Sequence, residues 1–340
     1  MKIPATVVTG FLGAGKTTLI RHLLANAGGR RIALIVNEFG DLGIDAEILR
    51  GCGIENCRDE DIVELANGCI CCTVADDFLP TMTALLDRPE PPEYIVIETS
   101  GLALPKPLVK AFAWPEIRSR VTVDGVITVI DGRAVLDGRF VADPAAIAAQ
   151  RVADPALDHD SPLEEVFEDQ ILCADLVVLN KADLLAAGEI EALRAEIGRQ
   201  VNGTVKLVQA TQGALDPRVL LGLGMAVEDG IEARPSHHDG EDDHDHDDFE
   251  SFIADIGALA DPAVLEARIA AVARDHDVLR IKGFVEVPGK ALRHVVQAVG
   301  SRVQRYYDRP WAAGETRGGR LVVIGQRGLD RAAIAAALRG

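Results

Sequence analysis

A short glycine-rich segment near the start of the chain, Gly10–Thr17, constrains the fold more than any other feature. It fits the pattern G-x-x-x-x-G-K-[ST] in full and lies between an apolar strand-like run, Ile3–Thr9, and a helix-like run, Thr18–Asn26. The glycines let the backbone wrap around a polyphosphate, which the loop amides and the positive end of the next helix would bind. We therefore predict a phosphate-binding loop rather than an ordinary glycine-rich turn.

The individual positions of this loop have predicted roles. Lys16 reaches the terminal phosphates, and the Thr17 hydroxyl binds Mg²⁺. The other positions surround the nucleotide, and they are Gly10, Gly13, Ala14, Gly15 and Thr18.

Short apolar runs alternate with helical patterns beyond this loop. Most are nearly continuous in Val, Ile and Leu, which is typical of strands buried on both faces of a parallel sheet. Polar residues follow several runs directly, and ligands of such sheets bind at the carboxyl ends of the strands. The predicted strands are Thr6–Thr9, Ile32–Val36, Tyr94–Ile97, Val126–Ile130, Leu176–Leu179 and Val205–Gln209.

The last part of the chain predicts a second, smaller domain. A His/Asp-rich tract has too little apolar material to pack, so we predict a linker at 226–248 between a nucleotide-binding domain at 1–225 and an α+β domain at 249–340. The histidines of the tract would capture divalent metals weakly or serve only in a solubilising linker. The predicted strands of the small domain are Phe249–Ile256, Val278–Val287, Val303–Tyr307 and Leu321–Gln326, and its helices are Pro262–His276, Leu292–Val299 and Asp330–Leu338.

The pattern N-K-x-D follows one predicted strand, at Asn180, Lys181 and Asp183. A carboxylate at Asp183 can accept from N1–H and the 2-amino group of guanine, whereas adenine would leave the carboxylate unpaired. Alone the pattern resembles a common polar turn, but after a phosphate loop it indicates guanine recognition. We predict a GTPase that converts GTP to GDP and phosphate slowly, mostly by positioning and charge stabilisation.

Acidic residues at two strand ends are candidates for the hydrolytic site beside Lys16. Glu98 would hold Mg²⁺ or its water, and Gly101 would let the backbone approach the γ-phosphate. Glu38 and Asp41 follow the second strand and would bind metal or orient water, with a solvated loop as the alternative. No glutamine is placed to orient the attacking water, so the hydrolytic base is left open.

A cluster of thiols, Cys69, Cys71 and Cys72, precedes a predicted helix at Asp76–Leu86. The positive helix end favours thiolates, and three thiolates can fill three positions of a tetrahedron around a borderline divalent metal ion. The alternatives are a redox pair or buried cysteines. Because the cluster lies between Glu38 and Glu98 in the sequence, we expect the metal site to assemble with GTP and loosen after hydrolysis. Cys52 and Cys57 could add ligands, but structural or incidental roles are favoured for them, and Cys173, in an apolar helical run, is predicted to lie in the core.

The bulk composition limits the partners of the chain. A net charge of −18 argues against nucleic acid, and no apolar run reaches the length of a membrane span. No signal peptide is evident, because the phosphate loop begins at residue 10. We expect a cytoplasmic protein without disulfides.

Taken together, these motifs resemble the CobW-type metal-chaperone GTPases, relatives of the hydrogenase and urease nickel-insertion GTPases. The resemblance implies a P-loop GTPase domain, Mg²⁺-dependent GTP binding and metal ligation by the thiol cluster. It is carried by the phosphate loop, Asn37–Gly40, Gly68–Cys72, Glu98–Gly101, Asn180–Asp183, the His-rich tract and Tyr307–Trp311.

Within that family the chain is most similar to the cobalt-delivering members of aerobic cobalamin synthesis, through Asp158–Glu165, Phe167–Gln170 and Gly314–Leu321. This similarity implies delivery of Co²⁺ to cobaltochelatase. Thiolates generally bind Zn²⁺ more tightly than Co²⁺, so a zinc chaperone in zinc homeostasis is the alternative. A regulatory GTPase with redox-sensing thiols and a nucleotide-dependent homodimer are also left open.

Overall fold

The computed structural model describes residues 2–36, 62–64, 78–141, 143, 145, 148, 162–200, 205–221, 249–300, 302–311, 315 and 317–340. These residues fall into two compact units, Lys2–Leu220 and Leu221–Gly340. None of the helices in these ranges combines the length and apolar character that a membrane span requires.

The described part of the first unit contains a seven-stranded parallel sheet in the order β3-β2-β4-β1-β5-β6-β7. Every residue of β2, β4, β5 and β6 is buried, which confirms the prediction of a parallel sheet covered on both faces. The strands are β1 Ile3–Thr9, β2 Ile32–Val36, β3 Ile62–Glu64, β4 Tyr94–Glu98, β5 Val121–Asp131, β6 Leu176–Asn180 and β7 Lys206–Gln209.

Helices flank this sheet, as the sequence predicts. The first begins at Lys16, directly after the phosphate loop, and buries Leu19, Ile20, Leu23 and Leu24. The described helices of the unit are Lys16–Ala25, Leu79–Leu86, Pro105–Ala111, Pro115–Arg118, Gly132–Leu136, Leu163–Leu172, Ala187–Gln200 and Pro217–Leu220, with a 3₁₀ turn at Ala182–Leu184.

The strand register brings the predicted site residues to one edge of the sheet. Glu98 pairs with Val8 of β1, just before the phosphate loop begins. Asp131 pairs with Asn180, so the last residues of β5 and β6 are direct neighbours. Because the strands are parallel, their carboxyl ends and the polar residues there lie side by side.

The second unit is a five-stranded antiparallel sheet in the order β11-β10-β9-β12-β8. Its core contains Leu265, Ile269 and Ile334 from two helices, packed with Val296 and Val323 from the sheet. The strands are β8 Phe249–Asp255, β9 Val278–Val285, β10 Leu292–Val299, β11 Arg302–Pro310 and β12 Gly319–Gln326, and the helices are Pro262–Asp275 and Arg331–Arg339.

The structure contradicts one predicted element and adds another. Leu292–Val299 was predicted to be a short helix, but it is strand β10, hydrogen-bonded on both sides to β9 and β11. Its valines suit a strand, and pairing with two neighbours decides the conformation of such a short apolar run. The edge strand Ile62–Glu64 was not predicted, because three residues carry too little pattern.

Candidate nucleotide-binding site

A cavity of about 750 Å³ lies at the carboxyl edge of the parallel sheet. It joins the phosphate loop to the N-K-x-D segment, although Thr17 and Asn180 are 163 positions apart in the sequence. The lining residues are Leu12, Gly13, Gly15, Lys16, Thr17, Thr18, Arg21, Asn180, Lys181, Asp183, Leu184 and Gln212.

Two glycines of the phosphate loop are required by its geometry. Gly10 has a φ of 135°, and a Cβ there would lie 2.1 Å from the carbonyl oxygen of Val129. Gly15 has a φ of 101°, and its Cβ would lie 2.1 Å from Nδ2 of Asn180. Any larger residue would push the loop away from the sheet edge or from β6.

The Lys16 ammonium lies inside the loop. Its Nζ donates to the carbonyl oxygens of Gly10 at 2.8 Å and Phe11 at 3.3 Å, and the residue is only 7% exposed. These contacts hold the positive charge at the predicted phosphate position.

Thr17 and Glu98 are brought together as a pair of oxygen donors. The Thr17 hydroxyl donates to Oε1 of Glu98 at 2.9 Å, and Glu98 is 3% exposed. A hydroxyl and a carboxylate beside a phosphate site are ligands of the kind Mg²⁺ takes, so these residues fit the ion.

Asn180 ties three segments of the site together. Its Nδ2 donates to the carbonyl oxygen of Ala14 at 2.9 Å, and its Oδ1 accepts from the Gly213 amide at 3.0 Å. The residue is 2% exposed, so both hydrogen bonds are shielded from water. Asn180 thus sets the distance between the phosphate loop and the turn that carries Gln212.

Lys181 is held by a residue outside the predicted site. Its Nζ lies 2.6 Å from Oδ2 of Asp131, whose other oxygen accepts from the Ala134 amide at 3.1 Å and caps a helix. The Asp131 side chain is only 6% exposed, whereas that of Lys181 is 32% exposed. Asp131 directly follows the predicted strand Val126–Ile130, which marked it as a polar residue at a strand end, but nothing in the sequence paired it with Lys181.

The loop after β4 packs directly against the phosphate loop. A Cβ on Gly101 would lie 2.6 Å from the backbone nitrogen of Leu12. The Thr99 amide donates to the carbonyl oxygen of Val8 at 3.0 Å, which anchors the start of this loop to β1. Gly101 therefore occupies the neighbourhood of the phosphate loop that its predicted role requires.

Several predicted site residues lie outside the described residues. They are Glu38, Asp41, Cys69, Cys71 and Cys72, together with Cys52, Cys57 and the His-rich tract. Among the residues that are described, no group of three or more His, Cys, Asp or Glu side chains is arranged to hold a metal ion. Cys173 directly follows the helix Leu163–Leu172 and packs, partly buried, against the core.

Comparison with known proteins agrees with the arrangement of this site. A family model described as CobW/HypB/UreG, nucleotide-binding domain, matches residues 4–209, and one described as cobalamin synthesis protein cobW C-terminal domain matches residues 249–340. The chain is 57% identical to a protein named zinc chaperone CobW from Sinorhizobium, with 99% of this chain and 96% of that protein covered. It is also 57% identical to a protein of the same name from Pseudomonas aeruginosa, covering 99% and 91%. Identity to the zinc chaperone YjiA of Escherichia coli is 29%, covering 91% and 90%. The chain therefore belongs to the CobW/HypB/UreG family.

Proposed function

We propose that this chain is a GTP-dependent zinc metallochaperone, which binds Zn²⁺ in the Mg²⁺-GTP state and releases it after hydrolysis. One observation carries the nucleotide part: the phosphate loop and Asp183 line the same cavity. The names of relatives that are 57% identical over nearly the whole chain support zinc as the cargo.

Guanine selectivity in this proposal comes from Asp183. Its carboxylate accepts from N1–H and the 2-amino group of guanine, and Lys181 lies beside it at the cavity wall. Asp183→Ala should weaken GTP binding about a hundredfold or more and remove the preference for GTP over ATP, which calorimetry on both nucleotides measures. A GTP preference that survives this change would contradict the assignment.

Hydrolysis in this proposal depends on charge placed around the third phosphate. Lys16 would neutralise the phosphate oxygens, and Thr17 and Glu98 would hold Mg²⁺, which would supply further positive charge when bound. Gly101 brings the backbone to the γ-phosphate. Glu38 and Asp41 are retained as further candidates from the sequence.

The cargo site is assigned to the thiolates of Cys69, Cys71 and Cys72, on the sequence argument alone. Thiolates are soft ligands that suit Zn²⁺, and thiolate sites generally bind Zn²⁺ more tightly than Co²⁺. Physical preference and the names of the relatives therefore point to the same ion.

Cobalt is a second candidate cargo, with delivery to cobaltochelatase. The observation that favours it is the match of residues 249–340 to the cobalamin synthesis C-terminal domain model. Competition between Zn²⁺ and Co²⁺ on the GTP-bound protein, followed by transfer to purified chelatase, separates the two cargoes.

The test of the metal site is a Zn²⁺ titration with Mg²⁺-GTP, with Mg²⁺-GDP and without nucleotide. Replacing all three cysteines by serine should abolish tight binding, whereas Cys173→Ser, at a partly buried thiol of the core, should not. Binding that is equally tight without GTP would overturn the coupling. Oxidant-sensitive GTP turnover without metal binding would favour the redox alternative instead.

A further inference from the structure

One buried glutamine connects the loop after β4 to a helix remote from it in the chain. Gln170 lies in the helix Leu163–Leu172 and is 0% exposed. Its Nε2 donates to the carbonyl oxygens of Gly101 and Ala103, both at 3.1 Å. A single side-chain amide thus holds two carbonyl groups on opposite sides of Leu102.

The segment that Gln170 holds is a tight turn. The Ala103 amide donates to the carbonyl oxygen of Ser100 at 3.1 Å, which closes the turn on itself. On the other side of the turn, Gly101 approaches Leu12 so closely that a Cβ would lie 2.6 Å from the backbone nitrogen. Gly101 is therefore fixed between the phosphate loop and Gln170.

The same helix also contacts the phosphate loop itself. The ring of Phe167 stacks on that of Phe11, with centroids 6.3 Å apart and planes 8° apart. The main-chain carbonyl of Gln170 separately accepts from the Thr128 hydroxyl of β5 at 2.8 Å. The stacked rings place the helix that carries Gln170 beside the phosphate loop.

Packing alone does not account for a glutamine at this position. Its Oε1 is buried and accepts no hydrogen bond from the residues that the structure describes. Leaving a buried acceptor without a donor is unfavourable, and an apolar side chain of similar length would avoid it. The two hydrogen bonds of Nε2 are what the glutamine adds.

We propose that Gln170 is a positioning residue for recognition of the third phosphate of GTP. It holds the turn Ser100–Ala103 against the phosphate loop, in the place from which Gly101 meets the γ-phosphate, and it acts only through that turn. The inference rests on the proposed function, because it takes GTP as the ligand. GDP lacks the phosphate that Gly101 would meet, so its binding depends on the phosphate loop and Asp183 and not on Gln170.

The test compares Gln170→Met with Thr128→Val in the full-length chain. Methionine at position 170 keeps the side-chain volume and removes the Nε2 donor. Valine at position 128 removes the hydrogen bond from the Thr128 hydroxyl to the main-chain carbonyl of Gln170 and leaves both hydrogen bonds to the turn in place. Calorimetry with Mg²⁺-GTP and Mg²⁺-GDP should show about tenfold weaker GTP binding by Gln170→Met, which corresponds to about 1.4 kcal/mol, with GDP binding within about twofold. Thr128→Val should bind both nucleotides as the unaltered chain does.

The outcomes separate this inference from the function on which it rests. Equal weakening of GTP and GDP binding by Gln170→Met, or no weakening of either, overturns the role of Gln170 and leaves the GTPase intact. An unaltered chain that binds neither nucleotide overturns the proposed function itself. If Gln170→Met does not fold, hydrogen exchange on the unaltered chain decides: the amides of 101–103 and of the helix should both be more protected with GTP than with GDP, and equal protection refutes the role.

Discussion

Asp131 has two roles, since it pairs with Lys181 and caps the helix Gly132–Leu136, and one substitution can remove the first role while it keeps the second. Asp131→Asn retains a carbonyl oxygen that can accept from the Ala134 amide, so the cap of the helix Gly132–Leu136 is preserved. The substitution removes the carboxylate oxygen that lies 2.6 Å from Nζ of Lys181 and replaces it by an NH₂ group, which cannot accept a hydrogen bond. Lys181 then loses the partner that holds it at the cavity wall.

The expected loss of nucleotide affinity follows from the conformational freedom that the Lys181 side chain must lose when the nucleotide binds. Fixing a lysine side chain costs up to about 2 kcal/mol of rotamer entropy. The ion pair with Asp131 already restricts Lys181 before the nucleotide binds, so part of this cost does not count against binding. Because Lys181 is 32% exposed, we take a loss of about 1 kcal/mol, or about fivefold weaker nucleotide binding. GTP and GDP should be affected equally, since both carry the same base.

The assay is calorimetry with GTP and GDP on Asp131→Asn and on a matched control. Asp330 caps the helix Arg331–Arg339 in the second unit by accepting from the Ala333 amide at 3.0 Å, so Asp330→Asn makes the same chemical change at a similar cap. The control should bind both nucleotides normally. Asp131→Asn affinities within about twofold of the unaltered chain, or a loss for GTP alone, would refute the assigned placement of Lys181.

Two further predictions concern stability. Gly213→Ala should lower the free energy of unfolding by about 2–4 kcal/mol, because the new Cβ would lie 2.7 Å from the Leu19 nitrogen at a φ of 71°. Gly138→Ala has a similar φ of 69° but open space around the new Cβ, so it should lower the same free energy by only about 1–2 kcal/mol. Denaturant titration compares the two variants, and equal losses would contradict the role of the close contact. Glu250→Gln should cost about 1 kcal/mol near neutral pH, because a hydrogen bond from Arg331 and others from backbone amides lower the pKa of the carboxyl below its ordinary 4.5. That stabilisation is present above pH 4.5 and is lost as the pH falls further, so the two proteins should converge in acid, and a constant difference would show that the charge is not responsible.

The parts of the site that the sequence predicts are those whose chemistry lies within a few consecutive residues. The phosphate loop needs its glycines because a Cβ at Gly10 or Gly15 would lie 2.1 Å from a backbone or side-chain atom, and that requirement is visible as a sequence pattern. The buried strands are visible for a similar reason, since a strand covered on both faces must be apolar at every position. The prediction of a parallel sheet with a separate α+β unit follows from these runs.

Contacts between distant segments are not visible in the same way. The pairing of Asp131 with Lys181 spans 50 residues, and that of Gln170 with Gly101 spans 69 residues. Each partner is an ordinary polar residue in its local context, and only the order of the strands in the sheet makes them neighbours. The incorrect helix at Leu292–Val299 has the same origin, because pairing with β9 and β11 selects the strand.

Asn180 connects the phosphate loop at one end of the candidate site to the turn beside Gln212 at the other end, so neither segment can move without the other. Its amide group joins the carbonyl of Ala14 in the phosphate loop to the amide of Gly213 in the turn beside Gln212. Both bonds are buried, so breaking either one leaves a polar group without water to replace its partner. The phosphate loop therefore cannot shift without straining the neighbour of the base-binding segment. Because the Asn180 side chain fixes the distance between the base-binding segment and the phosphate loop, binding of the base also favours the loop position that binds the phosphates.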